Sequence, residues 1–438
     1  MLEFFINGLL WFIIGAIVGF YAAYTKRYDP WLGVVAGGIV GLVVGFGGLE
    51  TGLINTVSVA LFTTAAVVII GGLLAPWGDY DQKVTANTRI NNLAYALMIP
   101  TLLIVFSIVV FPVIWNLVFS FRDIQVGDLR TVDLADFSDL TTENYVNQLA
   151  LRIDQPPCVT EEESGECVVD ASGNVEYENL RRALGQEYRG FDDMFAIDIT
   201  DEHYVVSGRN PRFYGTIIRT IGYTLASTIL AILFGLVAAL VVREEFFGRA
   251  VFRGFILFPY IAPVISVAFI WQVLLRSRGL VNEMMGTDTP FLSQGAGEVA
   301  GIAVPLIMLI LFQTWRYFPF AFLFLLARIQ AIPEDMYEAA KVDGATPSQR
   351  LWYITLPQLS PVFGTLFLLR FIWTFNKFDD VFLLTGVNSD TRVITVDIYD
   401  SLFIINDVGR ASAIAVIMAI ILAVVLTIYF RFFLAEES

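Results

Sequence analysis

Nine separate apolar runs, at roughly 4–24, 31–48, 53–75, 93–120, 214–242, 254–275, 299–327, 360–384 and 411–431, dominate the chain. Each is long enough to cross about 30 Å of hydrocarbon as a helix. Inside a bilayer every backbone N–H and C=O needs an internal partner, so only helices and closed barrels span it. A barrel would need alternating strands of about 10 residues, and a run such as Ala411 to Tyr429 does not alternate. The expected fold class is therefore all-α: a polytopic membrane protein of about nine transmembrane helices. Charged residues make up 16% of the 438, against about a quarter in soluble domains, which excludes a soluble enzyme.

The runs divide unevenly. Residues 1–76 hold three N-terminal spans that read as an accessory layer, and 93–431 hold six more. Gly33, Gly37, Gly41 and Gly45 recur every four residues and give the second span a bare stripe for close helix contact. That stripe suits packing within the chain or docking of another subunit. Between the fourth and fifth spans lies a polar insert, 122–212, with 20 acidic and 8 basic residues, net −12 of the chain's −15. Its apolar residues, among them Tyr177, Leu180, Phe191 and Phe195, are enough for a small external domain; the alternative is a disordered acidic loop.

Short-loop lysines and arginines set the orientation. Eleven lie on the side of the C-terminal tail and five on the other. The C-terminus is expected inside and the N-terminus and insert outside. An oxidising exterior would allow Cys158 and Cys167 to close a small hairpin by a disulfide; two free thiols are the alternative. No cleavable signal is expected, since the first run lacks a basic start and a small-residue cleavage site.

Several chemistries are excluded by count. With one histidine, His203, and two cysteines, a histidine-based triad, an HExxH zinc site or a four-cysteine metal cluster is not expected. No catalytic residue and no metal site are expected. No GxxxxGK[ST] loop occurs, so the chain is not expected to bind ATP through that motif.

The most informative segment joins the seventh and eighth spans, 332–357. Pro333 suits a first helical turn, and Glu334 and Asp335 complement the helix dipole there. Met336 to Asp343 reads as a short helix closed by Gly344, which tolerates positive φ. Thr346 then caps a second helix, with Pro347 at its first position, Gln349 placed for a capping box and Pro357 expected to stop it. Ala339 and Ala340 leave a low surface beside the Glu338 charge. Such a helix suits a partner's groove, or the segment is a plain surface loop.

Glu338-Ala339-Ala340, three residues, Gly344, nine residues, then Ile354-Thr355-Leu356-Pro357 resembles the EAA signature of permease subunits of binding-protein-dependent ABC importers. Tyr95-Ala-Leu-Met-Ile-Pro100, Phe258-Pro-Tyr-Ile-Ala-Pro263, Leu326-Ala-Arg-Ile-Gln-Ala-Ile-Pro333, Phe375-Asn-Lys-Phe-Asp379 and Gly409-Arg-Ala-Ser-Ala413 are similar to its carbohydrate branch, the maltose- and α-glucoside-type permeases. The resemblance covers about 93–431. It implies a transport subunit of a prokaryotic cytoplasmic membrane, surrounded by lipid. It implies a second permease subunit, an external solute-binding protein and two ATPase subunits that carry ATP and Mg. Nucleic acid has no part in it. Glu338, Ala339, Ala340, Gly344, Ile354, Leu356 and Pro357 would then form the ATPase-coupling loop.

Polar groups inside spans usually face a cavity or a partner. Arg370, Thr374 and Lys377 share one helical face, at i, i+4 and i+7. Similarity to maltose-type permeases puts Gln313, Arg316 and Tyr317 of span seven in the solute site with those three; Trp373 and Asn376 are further candidates. The alternative reading is that Arg316, Arg370, Lys377, Asp379 and Asp380 form structural ion pairs. The expected cargo is a sugar or oligosaccharide. The competing readings are an anionic solute such as a glycerol phosphate, which the three cations would suit, and a self-contained secondary transporter. The last would favour internal repeats with broken helices, and the sequence shows none.

Overall fold

The computed structural model describes residues 105–131, 139–159, 175, 177–199 and 202–433. The first three expected spans, the glycine stripe and residues 93–104 lie outside the described residues. So does Cys167; Cys158 is disulfide-bonded.

The chain falls into two compact units. In the first, helix α1 (Phe111–Ser120) follows a π-helical turn at Phe106–Val110. Its loop is tied by Val408 N–H donating to the Ile124 carbonyl at 2.9 Å.

The second unit begins with the insert. Helix α2 (Glu143–Leu149) precedes three antiparallel strands, β1 (Leu151–Asp154), β2 (Asp192–Ile199) and β3 (Glu202–Gly208), in the order β1-β3-β2. Among the described residues the all-α expectation therefore holds for the long apolar elements and not for the insert or for the short strand pair Glu298–Val299 and Ile302–Ala303. The reason is local: short stretches that alternate polar and apolar residues satisfy their backbone across a ladder. Tyr188, 1% exposed, pins the sheet through its hydroxyl, which bonds Asp193 and Ser207.

Helix α3 (Pro211–Arg243) rises from this domain. The Asn210 side chain caps it by accepting from Phe213 N–H at 3.2 Å, and Pro211 occupies its first turn. Asn210 Nδ2 donates to Gln148 Oε1 at 2.7 Å and Tyr214 donates to the Leu149 carbonyl at 2.6 Å, so the insert is anchored on the helix start. The buried hydroxyls of Thr216, Thr220 and Ser227 donate to carbonyls one turn back, which satisfies them without a partner helix.

Next come α4 (Arg249–Ile261) and α5 (Val264–Leu274), bent by 92° at the break. One span was expected over 254–275. Pro263 supplies no N–H and cannot continue the ladder, so the run divides. Helix α6 (Val304–Gln330) packs along α3. A Cβ at Gly235 would lie 2.7 Å from Ala321 Cβ and 2.8 Å from Phe322 N, so the two backbones touch there. Around that contact Ile232, Ala239, Phe322, Leu325, Ile329 and Leu359 form one core.

Helix α7 (Glu334–Val342) and α8 (Pro347–Arg350) make the loop. The expected stop at Pro357 does not occur. A π-helical turn, Leu351–Thr355, leads directly into α9 (Leu356–Phe375), so that Pro347–Phe375 is one 29-residue helix. Proline at the second position of α9 lacks the N–H that would bond one turn back, and the wider π turn absorbs that gap. Span eight, expected to reach 384, ends at Phe375. A separate short helix, α10 (Asp379–Thr385), follows, then α11 (Ile394–Tyr399) and α12 (Val408–Phe433). Ile414, Ile417 and Met418 of α12 close a core with Phe213, Phe371 and Phe375. Among the described residues four helices are long and apolar enough to cross a membrane, or five counting the bent pair.

Candidate functional site

Two constellations stand out, one at each end of the Pro347–Phe375 helix. At the loop end, Gly344 adopts φ +81°. Ala345 N–H donates to the Ala340 carbonyl at 2.8 Å and Gly344 N–H to that of Lys341 at 3.0 Å. This left-handed closure turns the chain straight into the next cap. Thr346 and Gln349 there exchange bonds: Gln349 N–H to Thr346 Oγ1 at 3.3 Å and Thr346 N–H to Gln349 Oε1 at 2.8 Å.

Tyr337 anchors the loop to the helices above it. It is 4% exposed, its hydroxyl lies 2.9 Å from Thr355 Oγ1, and the Arg243 guanidinium sits 4.0 Å over its ring. Glu338 and Ala339, on the next positions, are exposed. Between the two short helices opens a cleft of about 350 Å³, lined by Ala340, Asp343, Gly344, Ala345, Gln349, Arg350, Tyr353 and Ile354. Val342, Tyr353 and Trp352 around it are 87%, 79% and 65% exposed. Exposed apolar surface of this kind marks an interaction face. Of the expected coupling residues, Ala340, Gly344 and Ile354 line the cleft. Leu356 and Pro357 lie above it in the first turn of α9.

At the other end, charges converge on Asp380, which is fully buried. Its Oδ2 accepts from Gln313 Nε2 at 3.0 Å and from the Tyr317 hydroxyl at 2.9 Å. Lys377 Nζ lies 3.6 Å from the same oxygen and Arg316 Nε 3.9 Å from Oδ1. Lys377 also pairs with Asp379 at 3.1 Å. Arg370 is 2% exposed and stacks 4.3 Å over the Tyr317 ring, with one bond to Thr374 Oγ1 at 3.0 Å. No carboxylate lies within 4 Å of it among the described residues, and its Nε has no partner. The buried Gln313 Oε1 and Tyr223 hydroxyl are also unpartnered. A cluster like this binds polar matter or stays costly, because unpaired buried polar groups are unfavourable.

A family model described as "binding-protein-dependent transport system inner membrane component" matches residues 231–435. The inner membrane ABC transporter permease protein YcjO of Escherichia coli (strain K12) is 35% identical over 222 residues, 50% of this chain and 74% of that one. The chain belongs to this family. A second relative of the permease, the trehalose/maltose transport system permease protein MalF of Thermococcus litoralis, is 30% identical over 224 residues, again 50% and 74% of the two chains. The crystal structure of a bacterial ABC transporter involved in the import of the acidic polysaccharide alginate shares the fold. Its TM-score is 0.54 at 19% identity, covering 80% of this chain and 98% of that one.

Within the permease, six of the expected solute residues come together: Gln313, Arg316, Tyr317, Arg370, Thr374 and Lys377. The other two do not. Trp373 is 47% exposed and packs on Phe320 at 5.2 Å, and Asn376 is exposed and caps its own helix by donating to the Ile372 carbonyl at 2.8 Å. Helical spacing explains Asn376, which falls off the 370–374–377 stripe; Trp373 stands at the edge of that stripe, i+3 from Arg370, and leaves the cluster by packing on Phe320. The residue at the centre, Asp380, was read only as an ion-pair partner. Its signal was present: an acid pair just beyond two basic residues, Arg370 and Lys377, of an apolar run. The Tyr223 phenol, contributed by α3, carried no signal that a linear reading could use.

Proposed function

We propose that this permease is the membrane-spanning subunit of an ATP-driven importer for a sugar or oligosaccharide. An external binding protein delivers the solute, and ATP is hydrolysed on separate ATPase subunits. The single observation that carries the coupling role is the Gly344 closure, which holds exposed Glu338 and Ala339 beside a cleft that the half-buried Ala340 lines. A helix presented this way fits a partner's groove. The name of the 30% identical trehalose/maltose relative supports the sugar reading. A second permease subunit completes the pathway, the first three spans bring the count to about nine, and the loop faces the cytoplasm, as the basic loop asymmetry supports. A cysteine placed at Ser348 that labels only from outside would reverse that orientation.

The cluster around Asp380 is the solute site in this reading. Gln313, Thr374 and Tyr317 suit hydroxyls and a ring face. One observation favours a second solute class: Arg370 is buried without a carboxylate, which suits an anionic solute. The test is ATPase stimulation of the reconstituted complex by its binding protein, loaded in turn with neutral and anionic sugars and with glycerol phosphate. Stimulation by none of them would remove the importer reading.

A further inference from the structure

The face that carries the coupling loop also carries five arginines: Arg243, Arg249, Arg253, Arg328 and Arg350. Among the described residues none has a carboxylate within 4 Å. Two have a neutral partner that accounts for part of their charge: Arg243 covers the Tyr337 ring, and Arg328 donates to the Gln358 carbonyl and side chain. Arg350 borders the coupling cleft, with its Nε buried and without a partner.

Arg249 and Arg253 differ. They stand one turn apart at the start of α4 and converge on the last residue of α6. With its amide turned to satisfy both neighbours, the Gln330 oxygen accepts from Arg249 Nη2 at 3.2 Å and from Arg253 Nη2 at 3.1 Å. The Nε of each arginine is buried without a partner. Two like charges thus share one neutral acceptor, and among the described residues no carboxylate within 4 Å offsets the repulsion between them. Phosphate is the group that such a fork-like pair recognises best.

The surroundings say where the phosphate comes from. On the same helix Phe252, Phe255 and Phe258 are 44%, 73% and 63% exposed. The helix is the first half of a bent apolar pair of membrane character. Arginines at the head of such a helix sit at headgroup level, with the aromatic rings deeper, among acyl chains. We propose that Arg249 and Arg253, bridged by Gln330, bind the phosphate headgroup of an anionic phospholipid in the leaflet that the coupling loop faces. Gln330 lies four residues before Glu334, the first residue of α7, so the lipid would brace the loop's root.

The full-length chain, purified in detergent, should be mixed with phosphatidylglycerol or phosphatidylcholine and weighed by native mass spectrometry. The wild type should retain phosphatidylglycerol on the order of tenfold better, given two basic contacts at the surface. Arg249→Gln with Arg253→Gln should lose that preference. Gln330→Glu should lose it too while remaining folded, because the new carboxylate supplies the missing counter-ion. Arg431→Gln, at the end of α12, should keep it. Equal retention of the two lipids by the wild type would overturn the proposal, as would a preference that survives Gln330→Glu. Displacement of the lipid by inorganic phosphate alone would make this a small-anion site. Unchanged lipid retention with lost ATPase association in the arginine variants would make it a protein contact. Either result also overturns the proposal.

Discussion

The Tyr337 hydroxyl and Thr355 Oγ1 lie 2.9 Å apart, joining the coupling-loop helix α7 to the foot of α9 across 18 residues of chain. Both groups are buried, so the contact fixes the loop's attitude without using the exposed surface next to it. Glu338 and Gly344 are thereby free for a different task, and substitutions can separate the two roles.

At Gly344 the φ of +81° is the constraint, since a Cβ there would meet nothing within 4 Å. Gly344→Val should cost about 1–2 kcal/mol of local backbone energy and disorder the closure. Gly344→Asn should be tolerated, because asparagine visits the left-handed region. Glu338→Ala should leave the chain inserted but weaken co-purification of the ATPase by about tenfold or more, as loss of a charged interface contact does. Normal transport by both Gly344→Val and Glu338→Ala would end the coupling role for this loop.

Thr374→Leu and Gln313→Leu should abolish solute-stimulated ATPase activity and spare basal activity, because neither side chain touches the loop. Arg370→Gln sorts the solute classes. With a neutral sugar, transport should fall modestly; with an anionic solute it should vanish while assembly persists. Unaltered transport in both leucine variants would move the site to another face.

Asp380 is expected to be indispensable for stability. Asp380→Asn leaves the buried Arg316 without its carboxylate and Lys377 with Asp379 alone, and breaking a buried ion pair from one side costs about 3–5 kcal/mol. The variant should express poorly or melt early. Adding Lys377→Met should recover part of the loss, read as the melting temperature in detergent. If the double variant is no better than the single, the pair is not coupled.

Much of the loop was legible because its chemistry is local: a glycine, a threonine and a glutamine within six residues determine the closure and the cap. The break at Pro263 was missed: the run's unbroken hydropathy read as one span over 254–275 and concealed the 92° bend. The Asp380 cluster was half legible. A helical stripe groups Arg370, Thr374 and Lys377, but the bond from Gln313 to Asp380 spans 67 positions, and only packing brings them together. Pro357 misled because a proline usually ends a helix, and nothing in the residues before it announces a π turn. The Gly235–Ala321 contact was hidden among many glycines.

That contact makes its own prediction. Gly235→Leu forces a side chain into backbone atoms of α6, and overpacking of this kind costs about 1–3 kcal/mol. The melting temperature should drop, whereas Gly222→Leu, on the same helix with open space around it, should be nearly silent. Equal effects at the two positions would mean that α3 and α6 do not touch in the membrane.

The uninterrupted helix from Pro347 to Phe375 has a mechanical meaning. At 29 residues it is a rod about 43 Å long, with the coupling cleft at its foot and Arg370 and Thr374 near its tip. A tilt of about 10° at the foot sweeps the tip through about 7 Å by rigid-body geometry alone. No hinge need bend and no signal need pass from residue to residue. The π turn widens the rod without cutting it, so force applied at one membrane face arrives at the buried charges as displacement.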